Sequence, residues 1–146
     1  MMRQLDELKD MIEMMILDSY GLGEKSDSIV PCKTLLRDGQ WVKLSLSPSF
    51  FLFIVGDPLM AWSNGRMHPV KHRVMMRGEK ERISLGIFPV PTEGTIIKPP
   101  KELIDEEHPQ IFKEFDFMEF FKFFSSEEGV PIDSAKQIFA FAGICT

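Results

Sequence analysis

Turn chemistry interrupts the middle of this chain so often that no helix of ordinary length fits there. Arg37-Asp38-Gly39, Pro48-Ser49, Gly56-Asp57-Pro58, Asn64-Gly65 and Gly78-Glu79 divide residues 33–98 into short apolar pieces. In the first piece Trp41, Lys43 and Ser45 alternate with Val42, Leu44 and Leu46, the period of a half-buried strand. Phe50–Val55 forms a short apolar run, and Met60–Ser63, Met67–Met76 and Arg82–Phe88 are predicted as further strands. Short strands joined by turns predict a sandwich or jelly roll rather than alternating strand–helix units.

The two ends obey a different period. Leu5, Leu8, Ile12, Met15 and Ile16 recur at three- and four-residue spacings, so residues 3–20 are predicted as a packing helix, with Gly21 as its stop. After Pro99-Pro100, a charged stretch from Lys101 to His108 gives way to an aromatic, helical pattern over Phe112–Phe124. A last short helix is predicted to begin after an Asp133 N-cap and to run towards Phe141. The expected whole is one α+β domain over 1–146, mostly β, with 33–98 as a partial jelly-roll core and 101–146 as a helical tail.

Composition narrows the function classes. At 146 residues one domain can bury roughly two thirds of its unfolded surface. A net charge of −5 opposes duplex nucleic-acid binding, which needs concentrated Lys and Arg to neutralise phosphates. No apolar run approaches the length of a membrane span, and the acids at Asp6, Glu7, Asp10 and Glu13 do not suit a leader peptide. Two distant cysteines, Cys32 and Cys145, lack zinc spacing, and a reduced, cytoplasmic protein is expected. Thirteen Phe and ten Met gather towards the ends, which predicts a neighbour to cover them.

Three residues between Gly56 and Ser84 carry candidate chemistry. A lone strand histidine such as His72 is more often a hydrogen-bonded structural residue than a metal ligand. His68 lies four positions earlier, but the glutamate of a metalloprotease helix is absent between them. Arg82 and Ser84, two apart on a predicted strand, share a face. A guanidinium with a neighbouring hydroxyl suits a carboxylate, while a surface ion pair with Glu79 or Glu81 is the competing reading.

Taken jointly, these residues resemble a known family. The spans GDPLMAWSNGRMHPVKHRVMM, RISLGIF and IIKPPKELIDEEHPQIFKEFDFMEFFKFF resemble the C-terminal part of plant 2-oxoglutarate/Fe(II)-dependent dioxygenases. The nearest subgroup holds the glucosinolate side-chain-modifying and auxin-oxidising enzymes. The opening MMRQLDELKDMIEMMILDSYGLGE resembles the helix that leads into that family's catalytic core. The resemblance implies an incomplete double-stranded β-helix (jelly roll). It makes His72 a metal ligand in an HRV context, and Arg82 and Ser84 the holders of the co-substrate 2-oxoglutarate. It also implies Fe(II), with ascorbate as an accessory, and a small-molecule substrate oxidised as 2-oxoglutarate loses carbon dioxide to give succinate.

The chain departs from that pattern most sharply at the metal ligands, and the strands expected to carry the family's co-substrate-contacting tyrosine are missing as well. The family's His-x-Asp pair supplies two of three iron ligands, ahead of the segment resembling LLRDGQWVKLS. Here Gly23 passes through SDSIVPCKT straight into LLRDGQW, and the other histidines, His68 and His108, precede prolines. The family's N-terminal region is expected to be missing too, so the chain reads as a partial or internally excised product. Fe(II) is held in such sites by two histidines and a carboxylate, and one histidine falls short of that. The expectation is an inactive or truncated dioxygenase that self-associates through an incomplete sheet or its Phe-rich helix. The alternatives are a non-catalytic binding or interaction module, or an active oxygenase that draws ligands from another subunit or from Asp57 or Asp38.

Overall fold

In the computed structural model, residues 2–21, 36–37, 40–41, 52–73, 88 and 90–144 are described. They divide between two units, Met1–Ile54 with Val70–Pro89, and Val55–Pro69 with Val90–Thr146.

The first unit opens with helix α1 (Met2–Ser19). Its sequence has no Gly or Pro and carries four Met, three Leu and two Glu, all strong helix formers. Ser19 Oγ donates to the Ile16 carbonyl at 2.7 Å, and Gly21, at φ 70°, lets the chain turn away in the left-handed region. Ile16 and Leu17 are buried together with Glu13, so the inward face runs through positions 13, 16 and 17. The apolar stripe predicted through Met15 is therefore rotated, and Met15 is 65% exposed. Lys9 Nζ lies 3.0 Å from Asp10 Oδ1 and 3.6 Å from Glu13 Oε1, which gives the inward-facing carboxylate a cation.

Strands β1 (Leu36–Arg37) and β2 (Gln40–Trp41) form an antiparallel pair, with Leu36 opposite Trp41 and Arg37 opposite Gln40. The remainder of the alternating stretch, 42–46, lies outside the described residues, as does most of the predicted 33–98 jelly-roll core.

Several predictions are corrected by the structure. Of Met60–Ser63, expected as a strand, Met60 to Trp62 belong to helix α2 (Asp57–Trp62) and Ser63 is its C-cap. Gly56 is its N-cap and Pro58 sits in the first turn, where a missing N–H costs nothing. The run Leu-Met-Ala-Trp also lacks the β-branched residues that favour a strand. The predicted strand over Met67–Met76 is not found in its described part, 67–73, where no ladder forms. Pro69 there cannot donate to one.

Strand β3 (Ile96–Ile97) pairs antiparallel with β4 (Phe115–Asp116), Ile97 opposite Phe115. Asp116 then caps helix α3 (Phe117–Phe124), its Oδ1 accepting from the Met118 and Glu119 amides at 2.8 and 3.1 Å. The aromatic helix thus starts at Phe117. Phe112 to Phe115, predicted as its first turn, is extended instead and bridges to Gly143 through Phe112. Asp133 Oδ1 accepts from the Ala135 amide and caps a turn, but helix α4 (Gln137–Ala142) begins four residues after it.

The core joins α2, β4, α3 and α4. Met60, Ala61, Phe112, Phe115, Phe120, Ile138 and Ala142 are all buried. Phe141 touches three rings, with centroids at 5.2 Å from Phe123, 5.5 Å from Phe120 and 5.7 Å from Phe115. Edge and tilted contacts of this kind add about 0.5–1.5 kcal/mol per pair beyond area burial. Gln137 Nε2 donates to the Phe124 and Gly129 carbonyls at 3.3 and 2.9 Å, which ties α4 to the loop after α3.

Among the described residues, helices outweigh strands. They establish flanking helices and short antiparallel pairs, the coarser part of the predicted α+β architecture.

Candidate functional site

His72 lies on an extended stretch of the first unit and is exposed. Its Nδ1 is 3.1 Å from the Val70 carbonyl oxygen. A carbonyl only accepts, so Nδ1 is the donor in that contact, and Nε2 is the ring nitrogen left outside it. This is the arrangement in which a backbone carbonyl orients a metal-binding histidine. The next residue, Arg73, places its guanidinium carbon 3.9 Å from the Trp41 ring centroid, a cation–π contact that joins the His72 stretch to β2.

Arg82 and Ser84 lie outside the described residues, as does Asp38. Asp57, considered as a substitute carboxylate, sits in the second unit at the start of α2. Burial pushes its pKa up to about 6, because a desolvated carboxyl resists ionisation. His68 is exposed. His108 is committed to a local turn, with Nδ1 2.9 Å from Asp105 Oδ1, and Asp105 also accepts from the Glu107 and His108 amides. The His108 hydrogen bond holds the exposed Asp105 carboxyl below its usual range. Among the described residues, no group of three His, Cys, Asp or Glu side chains is placed to hold a metal ion. One imidazole does not fit a complete iron site.

The segment ahead of His72 has a different task. Helix α2 ends in a Schellman motif, in which the Gly65 amide donates to the Met60 carbonyl at 2.9 Å and the Asn64 amide to the Ala61 carbonyl at 3.1 Å. Asn64 occupies the left-handed position, φ 51°, where asparagine is tolerated better than most residues. Its buried side chain then reaches a segment about forty residues on. Oδ1 accepts from the Ile111 amide at 3.0 Å, and Nδ2 donates to the carbonyls of Leu103 and Pro109 at 3.3 and 3.1 Å, with that of His108 at 3.4 Å. Arg66 adds a bond to the Leu103 carbonyl, and its Nη2 lies 3.9 Å from Asp105 Oδ2. Ser63 Oγ accepts from the Met67 amide at 3.0 Å and donates to the Met60 carbonyl at 3.1 Å. Sequence reading marked this stretch only as a turn and a family signature. The available signal was the Asn-Gly dipeptide, whose residues both accept positive φ.

Comparison with known proteins follows the same residues. The family model "2OG-Fe(II) oxygenase superfamily" matches residues 24–91, the stretch that holds His72, Arg82 and Ser84. In Arabidopsis thaliana, the "Probable 2-oxoglutarate-dependent dioxygenase AOP1.2" is 46% identical over 104 residues, covering 71% of this chain and 32% of the relative. The "2-oxoglutarate-dependent dioxygenase AOP3" is 41% identical over 109 residues, covering 74% and 26%. The "Probable inactive 2-oxoglutarate-dependent dioxygenase AOP2" is 38% identical over 104 residues, covering 70% and 26%. The chain thus spans about a third or less of the length of these relatives. Among solved structures, the crystal structure of the dioxygenase for auxin oxidation in rice superposes with a TM-score of 0.55 at 26% identity, covering 73% of this chain and 35% of that one. Iron and 2-oxoglutarate are cofactor and co-substrate by the family's own name. On the HRV and Arg-x-Ser residues, the matched stretch and these relatives, the chain belongs to the 2OG-Fe(II) oxygenase superfamily and is related to the plant 2-oxoglutarate-dependent dioxygenases.

Proposed function

We propose that this chain, as it stands, is a non-catalytic relative of the plant 2-oxoglutarate-dependent dioxygenases. One observation carries the reading. The chain's three histidines are His68, His72 and His108, and none stands in a His-x-Asp pair. His72 then contributes one nitrogen to a metal that this family holds with two imidazoles and a carboxylate. Arg82 and Ser84 remain as a clamp for the distal carboxylate of 2-oxoglutarate. Without chelation by a metal, that clamp binds weakly. The jelly-roll architecture is part of the same proposal, supported by the similarity to the rice dioxygenase. So is the substrate class of a complete counterpart, a small organic molecule of plant secondary metabolism of the glucosinolate type, which rests on the resemblance of AWSNGR and RISLGIF.

The test is turnover. The purified chain, given Fe(II), 2-oxoglutarate, ascorbate and oxygen, is expected to release less than one equivalent of succinate per chain. Many equivalents, abolished in His72→Ala, would refute the proposal. The contact of His72 Nδ1 with the Val70 carbonyl leaves Nε2 as the nitrogen that could meet a metal, and favours one second reading, that another chain supplies the missing ligands. Iron-dependent succinate release appearing only above a threshold protein concentration would support that reading.

A further inference from the structure

We propose that Asn64-Gly65 is a latent site of spontaneous deamidation, closed by the fold and unable to close again once it has reacted. Asn64 is the only asparagine in the chain, and it is followed by glycine, which has no side chain to hinder attack on the preceding amide. In the reaction, the Gly65 backbone nitrogen loses its proton and attacks the Asn64 side-chain carbon. A carbon–nitrogen bond forms, the side-chain nitrogen leaves as ammonia, and a five-membered succinimide results. Water then opens the ring to aspartate or, by cleaving the other carbonyl bond, to isoaspartate. No oxidant or reductant is needed.

The folded chain opposes each requirement of that attack. The Gly65 amide proton is held by the Met60 carbonyl at 2.9 Å. The Asn64 side chain is held away from free rotation by the Ile111 amide on one side and by the Leu103 and Pro109 carbonyls on the other. The orientation of the amide is fixed by these partners, since the N–H of Ile111 needs an acceptor and the carbonyls need a donor. Asn64 is also only 7% exposed, which limits water. Reaction therefore requires the loop to open.

The product cannot take the same place. Replacing Nδ2 by a carboxylate oxygen removes the donor and leaves an anion facing the carbonyl oxygens of Leu103, His108 and Pro109 at 3.1–3.4 Å. The other oxygen still meets the Ile111 amide, but a buried carboxylate with one oxygen set against three carbonyls is strongly disfavoured. Isoaspartate, in addition, inserts a methylene into the backbone between the two residues that form the Schellman end. Each opening thus risks a one-way loss of the link between α2 and residues 103–111.

The experiment compares the full chain at pH 8 in buffer and in urea, with and without the fold, by intact mass and by digestion around residue 64. A gain of about one dalton assigned to Asn64 in urea, at least tenfold slower in buffer, is the expected result. Equal rates in buffer and urea would overturn the protection, and no mass gain in urea would overturn the site itself. Irreversibility is read on the same sample after urea is removed. The deamidated fraction should exchange its Ile111 amide hydrogen at least tenfold faster than the intact fraction, and equal exchange would overturn that part. Neither readout requires a variant to fold.

Discussion

Replacing Asn64 by alanine should cost the second unit more than any exposed substitution, and the cost can be divided. Asn64→Ala removes the acceptor from the Ile111 amide and the donor from the Leu103 and Pro109 carbonyls, at 3.0, 3.3 and 3.1 Å. An orphaned buried amide costs about 1–3 kcal/mol, and carbonyls, with two lone pairs each, suffer less. Alanine at φ 51° adds about 1 kcal/mol of backbone strain that asparagine largely avoids. The total is about 2–5 kcal/mol. Asn64→Gly loses the same side chain without the strain, so it should be about 1 kcal/mol less damaging than Asn64→Ala. Urea denaturation of the three proteins, followed by tryptophan fluorescence and by circular dichroism, measures both differences. A cost below 1 kcal/mol for Asn64→Ala would mean that the side-chain bonds do not hold residues 103–111, and an Asn64→Gly protein as stable as the parent would refute the same reasoning.

Further outcomes follow from the core and from Asp57. Phe112, fully buried against Phe139 at 5.1 Å, should cost about 3–5 kcal/mol when truncated to alanine, read by the same denaturation. Gly129→Ala should unfold or displace the loop after α3, because its Cβ would fall on the Phe123 carbonyl oxygen; unaltered thermal stability would contradict that packing. Burial raises the Asp57 pKa from 3.8 to about 6, so the folded state binds its proton more tightly than the unfolded chain. The associated stability is complete below about pH 4 and is lost as pH rises through 6, about 3 kcal/mol at most. Asp57→Asn should flatten that slope in a pH series of urea melts, and an unchanged slope would refute the assignment.

How far the sequence could be read depended on whether local signals agreed with the contacts that followed. Helix α1 and its Gly21 stop were legible because apolar spacing and the terminal glycine point the same way. The inward face was legible in part: Ile16 is buried and Leu8 and Ile12 are half-buried as the spacing predicts, but Met15 is exposed and Glu13 and Leu17 turn inward. Helix α2 was misread as a strand since a run of four apolar residues after a turn suits either state. Gly56, Pro58 and the Asn64-Gly65 end decide for the helix. In the aromatic tail, helical spacing was visible, but Asp116 as its cap was not recognised, and Phe112 and Phe115 went to extended pairing instead.

The candidate site divides in the same manner. His72 and the Arg82–Ser84 pair stand as a proposal that rests on their joint pattern, since each alone has an ordinary structural explanation. Asn64 and Arg66 escaped notice because their partners lie about forty residues away, at Leu103 to Ile111, and no local spacing reports such a contact.

Anaerobic titration of Fe(II) into the folded chain with 2-oxoglutarate, monitored in the visible region, tests most directly whether an iron site survives. No metal-to-ligand charge-transfer band is expected while circular dichroism shows the helices intact. A band that saturates with iron and disappears in both His72→Ala and Arg82→Ala would show that replacement ligands exist, and would contradict the non-catalytic assignment.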